Sequence, residues 1–407
     1  MNLNRHLAID LGGLDVTMAT DRGVPEPIPT PPGGPAAAVR AALAAASGPR
    51  SVCVALPDVW LSGDKVGAAI QEDVRHECED VAQTGQVSWT GQLAAASAFA
   101  AATYGPGRYL VCDVGGTGVR AGACTVSGAT VHVDATHSEQ GGGWRDFDTQ
   151  VRAGLALTPT WYKQARRGPD AESAAVILED ALNSGLRDDR ETSVYSITAA
   201  PGAEDDLQAG LLIDSFEPTA RRLRTVIAAV LGGARLSPPD HIVLTGGLGW
   251  FPLAARTAAI AAGTATAGVS TMGGTPGDAA IVVGTDAAAR GALLVARGDF
   301  SLAPPTVREE VTVPVNLIRD GLIEGENVTL PWTESFAGFP GGELNVDREE
   351  LQLTVGGRPH VARLTGLVPG SHWVGLRAAW TGPGVLVVRP TDGGTPHIVP
   401  LTDLEAR

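Results

Sequence analysis

YLVCDVGGTGVRAGAC, Tyr109 to Cys124, is the stretch from which the rest of the chain is read. Tyr109 to Cys112 is an apolar run of strand length, and it ends on a carboxylate, Asp113. A turn follows, Gly115-Gly116-Thr117-Gly118, and a second strand begins at Val119. Strand, acid, glycine turn and strand make a β-hairpin whose tip offers bare backbone N–H groups beside an acid. Glycine lets a backbone approach a ligand closely, so such a tip suits a phosphate on its amides. The neighbouring carboxylate suits a hydrated Mg²⁺.

The pattern occurs twice. In HLAIDLGGLDVTMA, His6 to Ala19, the residues Asp10, Gly12, Gly13 and Val16 align without a gap with Asp113, Gly115, Gly116 and Val119. One supersecondary unit repeated at a long interval implies two related halves facing across a cleft. Gly12, Gly13 and Leu14 then form one phosphate-binding tip, and Gly115, Gly116, Thr117 and Gly118 the other.

The chain has 407 residues, enough for two or three domains, and a formal net charge of −15. That balance argues against a general nucleic-acid binder, which needs a basic face. It also argues against an anionic membrane surface as partner. Cys53, Cys78, Cys112 and Cys124 form no C-x-x-C pair and read as reduced, buried thiols of a cytoplasmic protein. Asp10 interrupts any secretion-signal pattern, and the uncharged Ala/Thr/Gly stretch from Thr257 to Gly277 is too weakly apolar to span a bilayer.

In chain order, residues 24–34 are a Pro-rich loop, 35–47 an Ala-rich helix, and Ser51 to Ala55 a buried strand. Helical spacing covers 63–81, with Asp64 as N-cap. A strand at 86–89 precedes a small-residue helix, 92–104, stopped by Gly105-Pro106-Gly107. After the central hairpin come a third strand, 130–135, and the segment Gly141 to Asp148, GGGWRDFD, which opens a helix. Gly142 and Gly143 can approach a ligand there, and the helix start can face an anion. Asp146 and Asp148 read as helix-start residues. Helical patterns follow at 170–187 and 214–231, with a strand at 193–198 between them; Arg221, Arg222 and Arg224 read as a solvated face. DHIVLTGGLGWFP, Asp240 to Pro252, runs a buried strand into a Gly246-Gly247 turn and a helix start. Residues 278–296 form the closing helix, with 279–283 extended at its start. Residues 299–306 read as a linker. From 307 to 407, short alternating runs separated by Gly, Pro, Asp and Asn predict an all-β sandwich or barrel, read as a docking module.

The ordered set resembles the nucleotide-binding domain of the heat-shock protein 70 (DnaK-type) chaperones, within the actin-like ATPase superfamily. LAIDLGG is similar to the first phosphate motif, LVCDVGGTGV to the second, GGGWRDFD to the D-F-D segment, and HIVLTGGLGWFP to the adenosine motif. LAAASAFAAATYG resembles the connecting helix. The resemblance implies an α/β, two-lobed actin-like ATPase fold over 1–298, followed by the linker 299–306 and the small all-β domain 307–407. It implies ATP or ADP with Mg²⁺, Asp10 and Asp113 as catalytic and metal-holding carboxylates, and Gly246, Gly247, Leu248 and Trp250 at the adenosine. Trp250 either stacks on adenine or packs in the core. A polypeptide client or partner would engage the β domain.

The sequence departs from the family at several points. Gly13 and Leu14 stand where the first motif has threonines. In the second motif Thr117 replaces a glycine, Gly118 a threonine and Arg120 an aspartate. Gly91-Gln92 stand where the connecting helix opens with a glutamate. Arg120 then contacts a phosphate directly or pairs with an acid. Fewer positioned groups predict weak ATPase activity or nucleotide binding without turnover, since one lost group often costs about 10²–10³ in rate. Three functions are compatible: a chaperone-like switch, an ATP-binding pseudoenzyme adaptor, and a small-molecule kinase, because DVGGTGVRAG also resembles the D-x-G-G-T-x-x-R-x-G motif of sugar kinases.

Overall fold

Short apolar runs build the first sheet in the computed structural model. β1 (His6–Leu11) turns back into β2 (Val16–Thr20), and β3 (Glu26–Ile28) adds antiparallel to β2. The Pro-rich segment read as loop therefore carries a short edge strand, a place where Pro27 costs no ladder bond. Helix α1 (Gly34–Ala46) leads into β4 (Ser51–Leu56), which lies parallel to β1 and is buried along its whole length, as its run of apolar residues demands. The chain then leaves for a segment, Pro57–Glu79, containing helix α2 (Lys65–Glu77), and returns with β5 (Gln86–Gly91), parallel to β4. The sheet order is β3-β2-β1-β4-β5.

The second sheet repeats this plan. Helix α3 (Gln92–Tyr104) precedes β6 (Gly107–Val114), β7 (Gly118–Ser127) and β8 (Thr130–Gln140), an antiparallel meander. After helix α4 (Trp144–Gly154), the hairpin β9 (Val194–Ala200) and β10 (Ala203–Gln208), and the long helix α5 (Ala209–Gly233), β11 (His241–Thr245) joins parallel to β6. Helix α6 (Pro252–Ala261), β12 (Val269–Thr271), β13 (Ile281–Val283) and helix α7 (Ala287–Arg297) complete it. The order is β12-β13-β11-β6-β7-β8-β14, where β14 (Ser301–Leu302) pairs parallel with β8. Counted from each hairpin, β3-β2-β1-β4-β5 and β8-β7-β6-β11-β13 share one order and one set of strand directions.

Two helices lie between these sheets' inner faces. α7 packs on β1 and β4, α3 packs on β6 and β7, and the two helices pack on each other. The contact layer is alanine: Ala8, Ala19, Cys53, Ala55, Ala95, Ala288, Ala289 and Ala292 form one buried cluster. Small side chains let the backbones approach, and at Gly291 even a methyl group would fall on the Ala95 carbonyl. On the outer face of the second sheet, Leu110, Cys112 and Val114 point the other way, into a larger core with Phe147, Phe216 and Phe251 from α4, α5 and the turn before α6.

Residues 299–306 were expected to be a linker; Ser301 and Leu302 instead belong to the second sheet. Two residues are too few to carry a periodic signal. The closing helix begins at Ala287, and Ile281–Val283 before it is a strand. The structure describes residues 5–12, 16–21, 23–28, 33–46, 48–62, 65–79, 81, 85–154, 194–200, 203–233, 238–264, 269–271, 281–303, 309–320, 322–330, 337–338, 342–344, 346–347, 349–367, 372–377, 384–391 and 394–406. The helix read at 170–187 and the cap at Asp64 lie outside them.

The chain divides into two compact units, Met1–Leu56 with Asp80–Ala303, and Pro57–Glu79 with Pro304–Arg407. The sequence reading kept residues 57–79 within the first region. The second unit is two antiparallel sheets, one built on β15 (Val311–Arg319) and β16 (Leu322–Leu330), the other of four strands centred on His372–Arg377 and Val385–Pro390. Val313, Val315, Leu376, Leu386 and Val388 share one core. Val385 and Val387, on the opposite face of their strand, pack against Ala68 of α2. Arg389 continues that face and meets Glu79 at 2.7 Å and the buried Glu72 at 3.8 Å. Among the described residues no helix is long and apolar enough to cross a membrane.

Candidate functional site

The two hairpin carboxylates end β1 and β6 on the faces turned toward the central helices. Pairing outward from each tip sets their partners. Asp113 stands directly opposite Arg120 across β6 and β7, while Asp10 stands opposite Thr17 across β1 and β2. Directly opposed residues lie on one face of a sheet, so an acid and a guanidinium there meet. Arg120 Nη1 lies 3.1 Å from Asp113 Oδ2, and both side chains are almost fully buried.

Gln92 joins this pair to the other hairpin. It is the first residue of α3, and it is buried between the two strand ends. Its Nε2 donates to Asp10 Oδ1 at 2.5 Å, and its Oε1 accepts from Arg120 Nη1 at 2.6 Å. A single chain of polar contacts thus runs Asp10–Gln92–Arg120–Asp113 across the inner end of both hairpins. Burial pushes the Asp113 pKa up, and the Arg120 charge opposes that rise in part.

Glycines hold the surroundings close. Gly246, at the end of β11, has φ +82°, and a side chain there would land on Asp113 Oδ1. Its strand is in register with β6, Thr245 beside Asp113, so both turns leave from the same end of neighbouring parallel strands. That is the crevice where open α/β sheets bind ligands. The Leu248 N–H donates to the Val114 carbonyl at 2.9 Å, fixing the turn, and Leu248 itself is fully buried. Trp250 is part-buried; its Nε1 donates to the Gly247 carbonyl and its ring meets Phe251 edge-on.

The GGGWRDFD segment packs against the hairpin tip. The Trp144 and Arg145 N–H groups donate to the Gly115 and Gly116 carbonyls, at 2.8 and 3.0 Å. The start of α4 is therefore spent on the hairpin tip. Gly143 is needed for that approach, since a Cβ would sit 2.6 Å from the Gly115 oxygen. Gly142 donates to Asp146 Oδ2 and accepts from Thr219 Oγ1, both at 2.6 Å. Both glycines are buried where the segment packs on the tip. The tip itself stays accessible: Gly115 and Gly116 are part-exposed and Thr117 is exposed. Gly118 is buried, and its carbonyl accepts from the Gly115 N–H. Gly12 is part-exposed, while Gly13 and Leu14 lie outside the described residues.

No protein-family model matches the chain, and no curated protein matches it in sequence.

The sequence reading left Gln92 out of the site, although it noted Gln92 at the start of the connecting helix, which follows directly on β5 between the two hairpins. Arg222, read as a solvated residue, lies against Gly141 and Gly142 and faces Glu139 at 3.6 Å. The resemblance implies Mg²⁺ held through Asp10 and Asp113, and the donor set does not fit a directly ligated ion. Mg²⁺ asks for octahedral oxygen ligands. Here Asp113 Oδ2 faces a guanidinium and Asp10 Oδ1 faces an amide donor. Among the described residues no cluster of three His, Cys, Asp or Glu could hold a metal.

Proposed function

We propose that the first unit is a nucleotide-binding unit of the actin-like, heat-shock-protein-70-like type. It takes ATP or ADP and turns it over slowly or not at all. The observation that carries the reading is the duplicated five-strand order with an inward aspartate at each hairpin, the two joined through one helix start. The accessible Gly116–Thr117 end of the tip suits phosphate oxygens, the Gly115 N–H being spent on the Gly118 carbonyl, and the Gly246–Gly247 turn with Trp250 suits the nucleoside.

Binding without turnover is favoured by what surrounds the carboxylates. Phosphoryl transfer needs groups that position an attacking water and compensate charge as it develops. Asp113 is held by Arg120, and both ends of the Gln92 amide are engaged within the protein. Asp113 Oδ2 and the Gln92 Oε1 are thus already engaged by Arg120. Nucleotide occupancy then acts as a conformational signal, and the all-β unit engages a polypeptide partner. Calorimetric titration of the full chain with ATP and with ADP tests this: binding at or below millimolar concentration with little phosphate release supports it. Absence of binding at millimolar nucleotide sinks it. Turnover that appears only when a sugar is added would assign the site to a small-molecule kinase.

A further inference from the structure

We propose that Arg120 takes the place of a divalent cation, so that this site holds nucleotide phosphates without a metal. The inference rests on the nucleotide-binding reading above and adds a property that reading does not contain.

Three observations carry it. The guanidinium is built in: Arg120 is only 8% exposed, and its position follows from direct opposition to Asp113 across the hairpin. It bridges the two strand ends as a cation between two acids would, through Asp113 on one side and Gln92 to Asp10 on the other. Its remaining donors are free to serve a ligand. Only Nη1 is engaged among the described residues, leaving Nε and Nη2, although a guanidinium offers five N–H donors in a fixed fork. That fork matches phosphate oxygens, and the charge does not depend on pH.

The same guanidinium excludes the ion. A Mg²⁺ bound at Asp113 would sit beside a fixed positive charge that already faces one of the two carboxylate oxygens, Oδ2. The opposite hairpin has no such cation, because Thr17 stands where Arg120 stands in the second copy. Among the described residues the site thus carries Asp10, Asp113 and a permanent cation, Arg120, placed at Asp113.

The test is ADP affinity of the full chain, by calorimetry, in excess Mg²⁺ and in excess EDTA. The expected result is affinity equal within about threefold in the two conditions. Arg120→Gln should lose at least about tenfold in EDTA, as removal of a charge-assisted donor to phosphate does. Arg120→Lys, which keeps the charge and loses the fork, should recover part of it. Circular dichroism and melting show that each variant is folded, and the wild-type comparison needs no variant. Binding by the wild type in Mg²⁺ alone overturns the inference and leaves the nucleotide reading intact. So does an Arg120→Gln protein that binds in EDTA as the wild type does. No binding in either condition overturns both.

Discussion

Taking the guanidinium out of a buried ion pair leaves its carboxylate in surroundings that solvate it poorly. Arg120→Leu should therefore cost about 3–5 kcal/mol near neutral pH, read from urea unfolding. The pH dependence has a definite sign. Burial raises the native Asp113 pKa above its unfolded value, so Asp113 itself favours folding in acid. That contribution is lost as pH rises through the native value. Arg120 acts on the ionised form, so the deficit of the variant should be small near about pH 4 and grow toward about pH 8. A deficit independent of pH would mean that Arg120 stabilises by packing alone. Gly246 gives a second residue-scale prediction. With φ +82° and Asp113 Oδ1 in the way, Gly246→Ala should lower stability by about 1–3 kcal/mol and shift the melting temperature down.

Helix α7 tests the idea that the centre of the first unit is set by backbone approach. Gly→Ala inside a helix ordinarily gains up to about 1 kcal/mol. At Gly291 the added methyl meets the Ala95 carbonyl of α3, so Gly291→Ala should destabilise instead. Gly232, near the end of α5, has open space, and Gly232→Ala there should stabilise or be neutral. Opposite signs of the two melting shifts are the expected outcome; two upward shifts would refute the close approach. The same scale shows what was legible in the sequence. The apolar runs Tyr109–Cys112 and Ser51–Ala55 announced their strands, because burial on both faces dictates that pattern. β3 and β14 were invisible, since a Pro-containing triplet and a pair of residues are ordered by their neighbours rather than by propensity. In the site, Asp113 and Arg120 could be paired by counting outward from the tip. The Gln92 bridge and the Arg222 contact with Gly142 depend on packing between distant elements, which local pattern does not carry.

The whole molecule behaves as two units, and each should answer its own perturbation. In the second, burial works to raise the Glu79 pKa, but hydrogen bonds from Arg389 and His76 hold it below the usual value. That contribution is present above the unfolded pKa and is lost as pH falls through the native one. Arg389→Met removes the cation facing both Glu79 and the buried Glu72. Hydrogen exchange should then quicken in residues 65–77 and 385–390 and stay unchanged in residues 107–127. Saturating nucleotide should do the reverse, slowing exchange in 107–127. Mass action sets its size at about 2.7 kcal/mol when nucleotide is a hundredfold above its Kd.

The excursion of Pro57–Glu79 has a consequence for how this protein is made. That helical segment leaves the ribosome long before the strands against which Ala68 and Glu79 pack. Glu79 waits for Arg389, 310 residues later. Until then the Ala68 side of α2 stays wet. A truncation after Ala303 would freeze the chain in that nascent state. The stub would display an orphaned helix face and a carboxylate, Glu72, built to be covered, and such a fragment should aggregate even though every residue of the first unit is intact.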